Sequence, residues 1–303
     1  MAHDELDAFF DRTASLAARP RTIEELPGGL TNRNYKVTVP AGTFVARISD
    51  SGGELLAIDR DWEYRNAVTA AAAGAGPPVI EYRPEDRLLV IAYLEGRTLG
   101  PADVAAPPNI VRIARACRRL HAGSRFGNDF DMFDIQQRYR DVARSRRFAI
   151  PAGYDDLTPQ FEVAKAALAV RAEATVPCHN DLLAANFIDD GDRLWLIDYE
   201  LSGNNDACFE LGNLAAESHL TTEALAGLVA AYYGRPRQNK VARARLLGLV
   251  GMYGWTLWGA IQHAASPIEF DFWSWAMERF EGAAAGFTAR GFTGLLEEIQ
   301  RDD

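Results

Sequence analysis

Residues 246–268 run for 23 positions without one Asp, Glu, Lys or Arg. Such a stretch can cross a bilayer or lie through the middle of a large core, and little else accommodates it. Gly248, Gly251, Gly254 and Gly259 interrupt it, Gln262, His263 and Ser266 follow, and Arg243 and Arg245 flank only one end. This one-sided polar content fits a core helix that lines a site better than a lipid-facing span, so no membrane crossing is expected. The rest of the chain must then wrap around a buried helix. At 303 residues it exceeds the reach of most single cores, and a two-part architecture is expected.

With 24% charged and 48% hydrophobic residues, the composition is that of a globular protein. Lys and Arg total 32 against 42 Asp and Glu, a net charge of −10, which excludes a broad surface for nucleic acid or anionic lipid. An anionic ligand therefore needs local cations. Cys117, Cys178 and Cys208 are odd in number and lack paired-ligand spacing, so neither a disulfide framework nor a zinc site is indicated, and a reducing cytoplasm is expected. The opening Met1-Ala2-His3-Asp4-Glu5 lacks the basic region and apolar stretch of a secretory signal.

Along the chain, a helical opening over 4–18 leads to the turn Pro27-Gly28-Gly29. Two β-rich runs, 35–39 and 43–48, flank Pro40-Ala41-Gly42 and predict a hairpin. An Ala-rich helix over 58–73 stops at Gly74-Ala75-Gly76-Pro77-Pro78, and strands near 79–82 and 88–93 complete a sheet with one helix. Residues 100–108 are Pro-rich and poor in large apolar side chains, which puts a lobe boundary near 95–96. Helices are expected over 110–121 and 161–173, and through most of the chain beyond 211.

The chemistry concentrates in Pro177-Cys178-His179-Asn180-Asp181, with Asn186 five residues on, and in Leu194-Trp195-Leu196-Ile197 ending at Asp198-Tyr199-Glu200. Two short strands thus bring Asp181, Asn186 and Asp198 to loops at their ends. Acidic and amide oxygens suit Mg²⁺, which completes its shell with water and substrate phosphate. Asp181, if it is not a ligand, can accept a proton from an attacking hydroxyl. Any one of these residues could be an ordinary turn former; the spaced set argues for a site. Cys178 and His179 are neighbours on a strand and face opposite ways, so they form no nucleophile–base pair. His179 is expected to hold the loop by hydrogen bonds, His121 to complement a helix end, and Trp195 to be core.

His179-Asn180-Asp181 with Asn186, then Ile197-Asp198-Tyr199-Glu200, resembles the catalytic and metal loops of the choline kinase and aminoglycoside phosphotransferase superfamily. The likeness runs nearly end to end. It implies a bilobal, protein-kinase-like α/β (α+β) fold, with a nucleotide-binding lobe over 1–95 (antiparallel sheet plus helix) and a larger, mainly helical lobe over 96–303 for catalysis and substrate. Gly28, Gly29, Thr31 and Asn32 then correspond to the turn over the ATP phosphates, Arg47 to the strand cation and Glu63 to its helix partner. The backbone at Ala92 and Leu94 corresponds to the adenine contact. The same resemblance makes Asp181 the base and Asn186 and Asp198 the Mg²⁺ ligands. Glu210-Leu211-Gly212-Asn213, Glu217, and Trp255-Thr256-Leu257-Trp258-Gly259 through Ile268-Glu269-Phe270 are choline-kinase-type features. They imply a pocket of Glu217, Trp255, Trp258, Phe270 and Trp275 for a small cationic alcohol, choline first. Ethanolamine, another small alcohol or an aminoglycoside is the rival acceptor, and a nucleotide-binding regulator without turnover is the rival class. Leu183 and Ala184 depart from the pattern, since several choline kinases carry polar residues there.

Overall fold

Alternation of side chains along residues 35–39 gives a strand with one apolar face, and the smaller lobe is built on that face. The computed structural model describes residues 3–27, 29–49 and 51–302. Helix α1 (His3–Phe10) precedes β1 (Thr22–Leu26), β2 (Asn32–Val39), β3 (Gly42–Ser49), α2 (Arg60–Ala72), β4 (Val79–Arg83) and β5 (Leu88–Ala92). The strands form one antiparallel sheet in the order β1-β2-β3-β5-β4, and the hairpin pairs Thr38 with Thr43. Tyr35, Val37 and Val39 of β2 join Ala46, Leu88 and Val90 in a core that also takes Leu6, Phe10 and Leu16. The expected opening helix is thus shorter than residues 4–18, and it adds a second helix to this lobe. Its early end follows from Arg21, whose Nε donates to Asp7 Oδ1 (3.0 Å) and Nη1 to the Leu16 carbonyl (2.8 Å), folding the chain back.

Asp59 caps α2, accepting from the N–H groups of Asp61 (2.9 Å) and Trp62 (3.1 Å). The chain then leaves the sheet after β5. Strand β6 (Arg97–Thr98) pairs with β8 (Phe187–Asp189), which pairs with β9 (Leu194–Leu196). Helices α3 (Pro101–Ala105), α4 (Pro107–His121), α5 (Met132–Arg146) and α6 (Thr158–Val170) lie between, and β7 (Val176–Cys178) pairs with β10 (Gly203–Asn205). The chain ends in α7 (Ala207–Glu217), α8 (Thr222–Tyr233), α9 (Gln238–Ala265), α10 (Phe272–Phe287) and α11 (Phe292–Glu298). The fold is therefore mixed α/β, with a sheet-based small lobe and a mainly helical large one.

Helix α9 carries most of the uncharged segment, residues 246–265, and is buried along most of its length between α5, α7 and α10. None of the described helices is long and apolar enough to cross a membrane. Gln262 near its end donates to the Leu30 carbonyl (2.9 Å) and so ties the small lobe to the central helix. A cavity of about 360 Å³, lined in part by Thr31, Arg60, Gln262 and Ile268, opens at this junction.

Helices α7 and α9 approach closely at Gly212: a Cβ there would lie 1.9 Å from the Ala244 carbonyl oxygen, a backbone atom that cannot yield. Gly212→Ala should lower unfolding free energy by about 2–4 kcal/mol in urea titrations. Gly227→Ala in α8, where a Cβ meets nothing within 4 Å, should be neutral or stabilising by up to about 1 kcal/mol. Equal effects of the two substitutions would contradict this packing.

Candidate active site

Strand β7 ends at Cys178, and the next residues would be an unpaired loop but for one carboxylate. Glu210, on α7 and 1% exposed, accepts from the backbone N–H groups of His179 (3.1 Å) and Asn180 (2.7 Å). Burial alone would push its pKa up, but His121, His179 and the Asn180 N–H outweigh that and hold it below the usual glutamate value. His121 lies 3.4 Å from the same carboxylate and 2.7 Å from the Tyr232 hydroxyl. Asn180 takes a left-handed backbone, φ 67°, and its side-chain amide donates to the carbonyls of Leu201 (3.1 Å) and Gly203 (3.2 Å). His179 accepts from the Asp181 N–H at Nδ1 (3.3 Å) and donates from Nε2 to the Ile197 carbonyl (2.7 Å), partners that fix the neutral tautomer. Burial, the largest influence, lowers its pKa, which keeps it in that form.

Asp181 and Asp198 are thereby held at one cleft, and Asn186 joins them by donating from Nδ2 to the Asp181 carbonyl (2.7 Å). That bond leaves the Asn186 Oδ1 available to a cation. Asp198 also has a left-handed backbone, φ 74°. Arg47 Nη1 donates to Asp198 (2.5 Å) and to Glu63 (2.8 Å). Arg60 bridges Glu63 (2.6 Å) and Glu200 (3.0 Å), and Glu200 also accepts from Thr31 Oγ1 (2.8 Å) and Asn32 Nδ2 (2.9 Å). Two guanidinium groups thus face three carboxylates, with Asp181 as a fourth acid beside them. Hard oxygen donors in negative excess fit a Mg²⁺ site at Asn186 and Asp198, with Glu200 close behind.

These acids are pushed apart in proton affinity. Burial raises Asp181 well above the aspartate value, and Asp198, Glu217 and Glu200 add to the shift. Burial and then Asp198 raise Glu200 too, whereas Asp198 is lowered because Arg47 more than offsets its own burial.

In the small lobe, Gly28 lies outside the described residues. Gly29 is required by its turn, since a Cβ would come 2.4 Å from the Asn32 carbonyl oxygen. The side chains of Thr31 and Asn32 are committed to Glu200, which leaves the backbone of this turn to face a phosphate. The N–H groups of Ala92 and Tyr93 donate to Pro78 (2.9 Å) and Thr43 (3.1 Å), whereas that of Leu94 has no backbone acceptor among the described residues.

On the other side of Asp181, Glu217 is met by Arg279 of α10, whose Nε donates to Oε1 (3.1 Å) and Nη2 to Oε2. The guanidinium lies 3.4 Å above the Trp275 ring, and Trp275 packs at 5.1 Å on Trp258. Glu217, Trp258 and Trp275 are thus gathered. Trp255 is turned the other way: its ring faces Phe130, and its Nε1 donates to Asn213 Oδ1 (2.8 Å), behind the loop of His179 and Asn180. Phe270 is 43% exposed and packs on Phe272 rather than on the two tryptophans. Trp195 is not core: it is partly exposed, donates to Asp190 (2.7 Å) and stacks under Arg193.

Residues 22–247 match the phosphotransferase enzyme family. Protein LicA of Haemophilus influenzae is 30% identical over 68% of this chain, which spans 61% of LicA's length. Ethanolamine kinase 2 of Mus musculus is 28% identical over 78% of this chain and 68% of its own. A solved choline/ethanolamine kinase family protein from Mesorhizobium loti superposes with a TM-score of 0.86 at 31% identity, covering 99% of each chain. The chain belongs to the choline/ethanolamine kinase family. Its two lobes are accordingly those of the protein-kinase-like fold.

Arg60, Glu200, Glu210 and Arg279 contact the candidate site residues directly and were not assigned a role from sequence. Two signals were available. Glu210 is the one charged residue inside the helix Ala207–Ala216 region of α7, and Arg279 follows Trp275 by four residues, one helical turn.

Asp181 gives this family member a pH signature. A carboxyl whose folded pKa is raised binds its proton more tightly when folded, so stability falls as pH rises from the unfolded value through the folded one. Asp181→Asn should therefore raise the melting temperature at pH 7, and the gain should shrink toward pH 4. A gain that is constant with pH, or a loss at pH 7, would contradict the burial of this charge.

Proposed function

We propose that this protein transfers the γ-phosphoryl group of ATP, with Mg²⁺, to the hydroxyl of a small cationic alcohol, with choline the first acceptor and ethanolamine the second. The observation that carries this reading is Asp181. Its carboxylate has no hydrogen-bond partner among the described residues, although it ends a loop whose other polar groups are nearly all engaged. A raised proton affinity suits a group that must take a proton during the reaction and release it afterwards.

Asp181 accepts the hydroxyl proton as the acceptor oxygen bonds to the γ-phosphorus and the bond to the ADP oxygen breaks. A bound nucleotide would offer Arg47 a phosphate in exchange for Asp198, since its planar fork serves phosphate as well as carboxylate. Asn186 and Asp198 would hold Mg²⁺, which when bound neutralises phosphate charge and orients the transferring group. The Leu94 N–H, without a backbone acceptor among the described residues, offers adenine a donor. Cys117, Cys178 and Cys208 are free and buried, which suits a reducing cytoplasm.

Choline is favoured over ethanolamine by what remains near Asp181. Both oxygens of Glu217 already accept from Arg279, so Glu217 offers a head group its charge more than a vacant acceptor, the rings of Trp258 and Trp275 supply the rest, and a trimethylammonium needs no acceptor. Each such contact is worth roughly 0.5–2 kcal/mol when desolvated. An ATP-consumption assay with Mg²⁺ across choline, ethanolamine, dimethylethanolamine and an aminoglycoside tests the reading. Asp181→Asn should lower turnover by about 10²–10⁴-fold while ATP binding by calorimetry changes little. Near-parental turnover in this variant would remove Asp181 from the role of base, and no turnover with any alcohol would favour a nucleotide-binding regulator.

A further inference from the structure

The acceptor side of the cleft contains an ion pair that the reaction itself does not require. Glu217 closes α7 with its side chain 5% exposed, and Arg279 on α10 is 11% exposed. One guanidinium makes every contact there. Nε and Nη2 fork onto the two carboxylate oxygens, Nη1 donates to the Trp275 carbonyl (3.1 Å), and the planar face lies 3.4 Å over the Trp275 ring. Trp275 in turn rests on Trp258 of α9, with ring centroids 5.1 Å apart and planes at 57°. Arg279 therefore ties together three helices at the edge of the acceptor site.

Only an arginine can do this. A guanidinium is flat enough to stack and forked enough to bind both oxygens at once, whereas an ammonium is a point charge with a tighter hydration shell. Without it, Glu217 would be a buried carboxylate without its counter-charge, and Trp275 would lose the plate that fixes its orientation. Arg279 also opposes the negative field of Glu217 at Asp181, since the two act in opposite directions on that carboxyl.

We infer that Arg279 is the positioning residue of the acceptor subsite: it presets the Glu217 carboxylate and the Trp275 ring against which a small cationic head group is seated. It rests on the proposed function, because the subsite has a role only if an alcohol is phosphorylated. It goes further in assigning substrate selection to a residue that does not carry out the chemistry.

The experiment measures steady-state kinetics of the full chain with each substrate varied in turn, for the parent, Arg279→Met, Arg279→Lys and the Glu217→Gln/Arg279→Gln pair. The acceptor is choline, or whichever alcohol the parent uses best. Arg279→Met should raise the acceptor KM about tenfold or more, with the ATP KM within about twofold. Arg279→Lys should recover only part of the loss, and the neutral pair should fold yet keep a raised acceptor KM. An ion pair that merely braces two helices would move both KM values together or neither. The inference is overturned if folded Arg279→Met keeps the parental acceptor KM, or if Arg279→Lys does so where Arg279→Met fails to fold. If the parent phosphorylates no alcohol, the proposed function fails and this inference with it. An active parent with an unchanged variant defeats the inference alone.

Discussion

A single buried carboxylate fixes the geometry on which the site depends. Glu210 accepts from two consecutive backbone N–H groups, those of His179 and Asn180, and converts a loop after a three-residue strand into a rigid support. The loop needs such a partner because Asn180 adopts a left-handed backbone, which costs about 1–3 kcal/mol for a residue with a side chain. The ionised Glu210 offsets part of this cost through charge-assisted hydrogen bonds. Its donor distances to His121 and Cys178 would suit a metal ion, but its oxygens are already committed to the backbone. Helix α7 carries Glu210 toward the loop and Glu217 toward the acceptor side, and its close contact with α9 locks both in register.

Around that support the electrostatics divide the acids by role. The chain carries a net charge of −10, yet Arg47, Arg60 and Arg279 are placed among its buried carboxylates. Arg47 keeps Asp198 ionised, whereas Asp181 has no such neighbour in contact and is driven toward its protonated form. Diverging proton affinities of neighbouring carboxyls are what the proposed reaction needs, with Asp198 as charge partner and Asp181 as proton acceptor. In the proposed reaction the cation that holds Asp198 is also the one that would meet a phosphate, so nucleotide entry and release of Asp198 would draw on one residue.

The loops of this site were legible in the sequence because their residues are contiguous: His179 to Asn186 and Asp198 to Glu200 each occupy one turn between short strands. The hairpin was legible for the same local reason. What was not legible depends on distant pairing. Glu200 reads as a turn residue until Thr31, Asn32 and Arg60 converge on it from the other lobe, and Arg279 reads as a solvated helix residue until Glu217 and Trp275 enclose it. Helix α5 has a weak sequence pattern because its buried stripe of Met132, Gln136, Tyr139 and Ala143 includes a glutamine that bonds the Tyr154 hydroxyl. The two tryptophans of α9 share a broad face by spacing, but one step of three residues turns Trp255 onto Phe130 and Asn213 while Trp258 meets Trp275.

Glu210 positions the loop that ends at Asp181, and the turnover number of Glu210→Gln at saturating ATP and acceptor measures how much the proposed reaction depends on it. Glutamine keeps the shape but offers one acceptor oxygen and a mismatched N–H₂ to two backbone donors, so the loop loses one of its two anchors. The folded variant should lose kcat by about tenfold or more while both KM values stay near the parental ones. A folded Glu210→Gln protein with the parental kcat would contradict it.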